Sequence, residues 1–286
     1  MDDDERFDRP THIEALSRAA ARARQIAQPV HDAAVAATRD RLRALGAAAE
    51  VDGDELVAMG RIVRTPDGGS IRTFSGGLAH ENGWWPSRKR RRNLHWQGMA
   101  QRDAIVAAET NVRVLWMQSE PERLEFPHRG EWRRYTGDLQ VQFTVGPPEI
   151  WEIKRGEDDV ADPDYRDTLA CVCEIYRRCG ITFRIVYADE IFATRHHRAN
   201  AELFASRRFA RVGPEHLGRL ARHAGRTAYN TTYGRLAEAL DPDFPAGGKA
   251  VIQALLVRRR VDIDLTKRVE DDSPVRILPT SRGDWG

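Results

Sequence analysis

The chain has 286 residues, 41% hydrophobic and 31% charged, with a formal net charge of +2. That length suits two modest domains or one large one, and no apolar run approaches the roughly 20 residues of a membrane span. The acidic start, MDDDERFDRP, lacks the charged-then-apolar pattern of a secretory leader, so the expectation is a cytoplasmic protein.

In chain order, the first predicted element runs from Thr11 to about Ala49. Thr11 followed by Glu14 matches a capping box. The Ala-, Leu- and Arg-rich stretch behind it is interrupted at Pro29, which predicts two helices with a bend. Residues 1–50 therefore read as a helical extension, packed on the core or on a second subunit. LVAMGRIVRT and GSIRTFSG, separated by TPDGG, predict a hairpin. ENGWWPSRKRRRN reads as a loop. WQGMAQRDAIVAAET, Trp96 to Thr110, predicts a helix carrying Met99, Ala100, Ile105 and Val106 as its apolar positions. VRVLWMQSEPERLEF predicts a strand, a turn and a second strand. DLQVQFTV and EIWEIK alternate around the turn signal GPP and predict another hairpin. DPDYRDTLACVCEIYRRCG then predicts a helix, and ITFRIVYADEI a buried strand. This order predicts a mixed α/β domain over residues 51–194.

Cys171, Cys173 and Cys179 crowd that last helix. An odd number without an export signal implies reduced thiols packed in the interior. A lone C-x-C also lacks the second pair that zinc needs.

After Thr194 the texture becomes helical and basic. GKAVIQALLVRRRVDIDLTKRVEDDSPVRIL predicts a helix running into a short hairpin. Residues 195–286 therefore read as a mainly helical, winged-helix-like domain, a unit that binds DNA or protein. His196 and His197, at the boundary, read as surface residues.

Net charge alone announces no nucleic-acid partner, but its distribution says more. Arg88, Lys89, Arg90, Arg91 and Arg92 are five consecutive cations beside Trp84 and Trp85. RRFAR at Arg207 to Arg211 is a second cluster, and Arg258, Arg259 and Arg260 form a third. Planar guanidinium groups suit phosphate, although a basic run is ordinarily a solvated face. The first and third clusters are the candidates for DNA contact. Trp84 and Trp85 either stack on bases or pack beneath the basic run.

The hairpin at DLQVQFTV and EIWEIK carries the candidate chemistry. Asp138, Glu152 and Lys154 have the spacing D-x13-E-x-K. Glu152 and Lys154 are two residues apart on one strand, so they share a face. A hairpin turn can bring Asp138 near Glu152. Two facing carboxylates repel unless a cation lies between them, and hard oxygen ligands suit magnesium or manganese. A lysine beside them can position water or stabilise phosphorane-like charge. The bland reading is a Glu–Lys pair on a solvated sheet face.

In the order of its motifs the sequence resembles the PD-(D/E)XK nuclease superfamily, and within it the TnsA-type transposon endonucleases. YTGD resembles the family's Y-T-P-D, with Gly137 in place of proline, and EIK matches its acid–x–Lys element. PSRKRRRNLHWQGMAQRDAIVAAETNVRVLWMQSEP is similar to the segment that precedes these motifs. The resemblance runs from about Ile62 to Leu278 and leaves the N-terminal helices out. It implies a restriction-endonuclease-like mixed sheet flanked by helices, followed by a winged-helix domain. It implies Mg2+ as cofactor, with Mn2+ as a substitute. Asp138 and Glu152 would hold the metal through carboxylates and Ile153 through its backbone carbonyl, with Lys154 as the catalytic lysine. Gln118 would lie beside the site. DNA would be the substrate, with a transposase and an ATP-dependent regulator as partners.

One departure stands out. The family's first helix carries acids where this chain has Gln97 and Gln101. Gln101 occupies the position of the third ligand, and a neutral amide brings oxygen without charge. Glu109, two turns further along, is too far to replace it. Two readings therefore stand beside the transposon endonuclease: a phage, restriction or repair nuclease on the same fold, and a catalytically weakened DNA-binding or assembly protein. A plain transcription factor would leave the hairpin unexplained.

Overall fold

The structure, a computed structural model, describes residues 12–46, 60–71 and 81–279, with side chains from Gln28 onward. Helix α1 spans His12–Ala44. Short strands β1 (Arg61–Arg64), β2 (Asn82–Ser87) and β3 (Arg92–Gln97) precede α2 (Met99–Thr110). Strands β4 (Val114–Ser119), β5 (Glu122–His128), β6 (Glu131–Thr136), β7 (Leu139–Phe143) and β8 (Glu149–Lys154) follow. A 3-10 turn at Glu157–Val160 leads to α3 (Pro163–Arg178) and β9 (Thr182–Tyr187). The remainder comprises α4 (Arg195–Ser206), α5 (Pro214–Thr227), β10 (Asn230–Thr232), α6 (Tyr233–Leu240), α7 (Pro245–Val257), β11 (Val261–Ile263) and β12 (Pro274–Ile277). The chain is mixed α/β.

The central sheet has the order β4-β7-β8-β9. The first two pairings are antiparallel, and β8 runs parallel to β9 after the α3 crossover. Period-two alternation divides its strands between two cores. On one face Met117, Leu139, Val141 and Ile153 pack with Ile105 of α2. On the other, Ile150, Phe183 and Ile185 pack with Leu169 and Tyr176 of α3. A third core gathers Leu236, Ile252, Leu255, Val261 and Val275 in the C-terminal part. Helix α4 joins the parts, because Ala201 and Ala205 face the α2 core while Phe204 faces the C-terminal one.

Helix α3 starts where the sequence says it should. Asp162 accepts the Tyr165 N–H at 2.8 Å and Pro163 opens the first turn. Its Cys171 and Cys173 are buried as expected, but Cys179 is exposed, because it lies past the end of the helix.

Several expectations are corrected. Pro29 does not divide two helices: α1 is continuous through it. Contacts to the sheet hold the half that follows. His31 bonds Thr182, Thr38 Oγ1 donates to the Phe183 carbonyl at 3.1 Å, and Arg41 donates to the Ile185 carbonyl at 2.6 Å. The capping residue expected at Thr11 lies outside the described residues. The WWPS segment is not a loop. It forms β2, paired antiparallel with β3 from Asn82–Gln97 to Ser87–Arg92. Consequently Trp96 and Gln97 end a strand, and α2 starts only after Gly98, whose φ of 78° suits glycine. The expected partner of β1, GSIRTFSG, lies mostly outside the described residues. Strand β1 pairs instead with β5. Strands β4 and β5 enter different sheets, and β5 pairs with β6 across the left-handed pair Arg129–Gly130. His197 is half-buried, donating its backbone N–H to the capping Thr194 Oγ1 at 3.0 Å.

Two helical glycines predict opposite outcomes. A Cβ on Gly248 of α7 would lie 2.1 Å from the Ala237 carbonyl oxygen of α6, whereas one on Gly225 of α5 would meet nothing within 4 Å. Gly248→Ala should destabilise by about 1–3 kcal/mol. Gly225→Ala should stabilise by about 0.5–1 kcal/mol. Urea denaturation of the two variants checks both signs, and a stabilised Gly248→Ala would contradict the α6–α7 packing.

Candidate functional site

The β7–β8 ladder opens at Asp138. Its backbone N–H donates to the Trp151 carbonyl at 3.0 Å, and its carbonyl accepts from Glu120 N–H at 2.9 Å. One step further, the Ile153 N–H donates to the Asp138 side chain, to Oδ2 at 2.7 Å. A carboxylate thus replaces the next backbone carbonyl, and the strands part without orphaning an amide. Gly137 makes this possible. A Cβ there would lie 2.4 Å from Ile150 Cγ2. Proline carries that atom, which explains the glycine in YTGD.

Glu152 and Lys154 share the face of β8 that bears Ile150. Glu152 is buried, at 4% exposure. Tyr135 Oη donates to its Oε2 at 2.5 Å, and Tyr165 Oη to its Oε1 at 2.5 Å. Lys154 Nζ lies 2.7 Å from the same Oε1 and 4.8 Å from the Tyr165 ring centroid. Sequence reasoning missed both tyrosines. Tyr135 stands in the quoted YTGD, and Tyr165 sits just behind the α3 cap.

Burial, and next the Glu152 carboxylate, hold the Asp138 carboxyl well above the usual carboxylate range. The Ile153 N–H and Lys154 pull the other way and do not prevail. Glu120 adds to the upward push. This third missed residue is 4% exposed and has φ 45°, an uncommon conformation for a non-glycine residue. Its carboxylate lies 4.0 Å from His95, whose imidazole burial drives toward neutrality.

Gln101 reaches Asp138 from the first turn of α2. Its Oε1 accepts the Gln97 backbone N–H at 2.8 Å, which fixes the amide orientation because an N–H can only donate. Gln101 therefore turns Nε2 toward Asp138 and donates to Oδ1 at 2.6 Å. Gln118 is held on other partners, accepting from Arg90 Nε at 2.9 Å and donating to Ser70 Oγ at 3.1 Å. Glu109 is fully buried and accepts from Ser87 Oγ and the Arg88 N–H, both at 2.6 Å. From α2 it anchors the β2–β3 turn.

The basic run divides. Arg90 donates to the Gly68 carbonyl and Arg92 to Asp67, so both face the loop after β1. Arg88, Lys89 and Arg91 face the C-terminal part, where they meet Arg258, Arg259 and Arg260. Arg208 is structural: it is buried, lies 4.1 Å from the Trp85 ring centroid and donates to the Pro86 carbonyl. Trp85 packs beneath it, while Trp84 remains 55% exposed.

The Asp138 and Glu152 carboxylates with the Ile153 carbonyl are an all-oxygen set of the kind hard divalent cations take. In number the set falls short. Among the described residues no group of three or more His, Cys, Asp or Glu side chains is arranged to hold a metal ion. Gln101 would have to turn its amide and release the Gln97 N–H to offer oxygen. No model of a known protein family matches the chain, and no curated protein matches it.

The raised Asp138 pKa has a defined sign. Proton binding favours the folded chain, so its contribution is complete below the ordinary value of 3.8 and is lost as pH rises through the folded value. Metal-free wild type should therefore lose stability relative to Asp138→Ala as pH rises above about 4. Mg2+ or Mn2+ should flatten that slope by favouring the ionised carboxylate. Urea melts across pH, with and without the cation, check this. Parallel wild-type and variant curves would refute the assignment.

Proposed function

We propose that the protein is a metal-dependent DNA endonuclease of the PD-(D/E)XK kind, laid out like the TnsA-type enzymes that cut at the ends of mobile elements. The observation that carries this reading is the convergence of Asp138 with Glu152 and Lys154. Asp138 immediately precedes β7, and Glu152 and Lys154 lie on the neighbouring β8; the 2.7 Å bond from Ile153 N–H to Asp138 and the 2.7 Å Lys154–Glu152 ion pair join them. The surrounding order supports it. A helix, three antiparallel strands, a crossover helix and a parallel strand form the sheet β4-β7-β8-β9, and the β5–β6 hairpin is an insertion in that series. The C-terminal order α5-β10-α6-α7-β11-β12, closed by the small sheet β10-β12-β11, supports a winged-helix reading and thus a DNA-docking role.

Asp138, Glu152 and the Ile153 carbonyl would hold Mg2+ or Mn2+. When bound, such an ion supplies Lewis-acid polarisation of the scissile phosphate. The chain's own groups do the rest. Lys154, anchored on Glu152, offers Nζ to the charge that develops on the phosphate oxygens. Tyr135 and Tyr165 fix the Glu152 rotamer, and the Tyr135 phenol stays protonated because burial and Glu152 push its pKa well above its ordinary value. In this reading a transposase cutting the other strand and an ATP-dependent regulator would be the partners. A phage, restriction or repair setting uses the same chemistry.

One observation favours a second reading, a catalytically weakened nuclease fold that binds DNA or assembles a complex. Gln101 sets an amide nitrogen, not a carboxylate, against Asp138. The test is cleavage of supercoiled DNA in Mg2+ and in Mn2+. Wild type should nick or cut, and Asp138→Ala and Lys154→Ala should lose about 100-fold or more. Gln101→Glu should raise cleavage at limiting Mg2+, since it restores the missing charge. If Gln101→Glu alone cuts, or nothing cuts while DNA is still bound, the second reading replaces the first.

A further inference from the structure

The two basic runs, far apart in sequence, meet in space. Arg88, Lys89 and Arg91 from the β2–β3 turn and Arg258, Arg259 and Arg260 after α7 line one cavity of about 390 Å³. Its other lining side chains are aliphatic, and no carboxylate lines it among the described residues.

Three of the six cations donate to backbone carbonyls. Lys89 Nζ donates to the Ala108 carbonyl at 2.9 Å and the Asn111 carbonyl at 2.5 Å, and Arg259 Nε donates to the Val112 carbonyl at 2.9 Å. Lys89 therefore caps the C-terminal end of α2, where carbonyls lack helical partners and the dipole is negative, and Arg259 ties down the segment just beyond it. Glu109, fully buried beneath the turn, is the nearby counter-charge. Arg258 donates to the Ala210 carbonyl at 3.1 Å, and its Nε is buried with no hydrogen-bond partner.

The runs repel across the seam. Burial, partly offset by Glu109 and reinforced by Arg259, lowers Lys89 to about 7, and burial with Arg88 lowers Arg258. Such crowding of desolvated cations is relieved by an anion. Forked guanidinium groups match phosphate oxygens. A DNA strand brings a charge at every step, which suits several cations in one cavity better than a single carboxylate does.

Resting on the nuclease reading, we propose that this seam is a phosphodiester-backbone pocket shared by the sheet domain and the C-terminal part, through which both hold one DNA strand. It lies at the opposite end of α2 from Gln101, roughly 14 Å along the helix axis. Of the eight cations singled out in the sequence, six line this seam, while Arg90 and Arg92 face the loop after β1.

The test uses the full chain carrying Asp138→Ala, so that no cleavage intervenes. Fluorescence anisotropy follows binding of a labelled duplex from 50 to 200 mM KCl. Arg88→Ala and Arg260→Ala should each weaken binding roughly threefold and lower the slope of log K against log salt by about one. The double variant should lower it by about two, and Arg260→Lys should keep it. Arg43→Ala, on α1, serves as the control, and unchanged melting temperatures verify folding. Unchanged slopes in a parent that binds DNA would overturn the pocket alone. A parent that fails to bind DNA would overturn the pocket and the nuclease reading together. Inorganic pyrophosphate is the second arm. Stabilisation by pyrophosphate that both variants abolish, with DNA slopes unchanged, would make this a small-anion site and overturn the proposal.

Discussion

The hydrogen bond from the Ile153 N–H to Asp138 Oδ2 governs the centre of this molecule. It lets a side chain stand in for a strand. Where β7 and β8 would continue side by side, the carboxylate accepts the amide, and the two strands diverge with their last backbone groups satisfied. Gly137 must lack a Cβ for Ile150 to pass, and Glu152 is brought to the same place with its own donors. The result is two carboxylates removed from water at the mouth of a sheet, in a region where a proton or a cation is welcome.

The hairpin, helix α3 and the mixed α/β character were legible in the sequence because each rests on local signals such as alternation, a GPP turn and helical spacing of apolar residues. What escaped was non-local. Strand β1 finds its partner in β5, some sixty residues on, where no turn signal marks it. WWPS ran straight into a basic run and contained proline, so it read as a loop. In the structure Pro86 faces Asn93 in a two-stranded ribbon, an edge position that tolerates the missing donor. Pro29 kept its helix because the sheet holds the turns after it. At the site, Asp138, Glu152 and Lys154 were readable from spacing. Tyr165 and Glu120 were not, because they arrive from other elements.

Charge runs illustrate the same limit. Five consecutive cations look alike in a sequence. Folded, one faces an aspartate, one grips Gln118, one closes a helix end, and the others turn toward the C-terminal part. Glu109 looked like a misplaced catalytic acid. It is the anchor that shapes the turn bearing those cations, through bonds to Ser87 and two backbone amides. Arg208 lies among exposed arginines in sequence and ends buried against Trp85. Charge patterning locates basic segments, and tertiary partners decide which of those charges still face outward.

Helix α1 settles the outer border of the sheet. Strand β9 is the last strand on its side, and a bare strand border is adhesive toward any other extended chain. Here Thr38 and Arg41 cover the carbonyls of Phe183 and Ile185. The helix that resembled an appendage therefore acts as a polar zipper along that border. Two copies of the chain cannot join by running their sheets together on this side. A fragment starting after the helix would regain a sticky rim, and its insolubility would say nothing about the site.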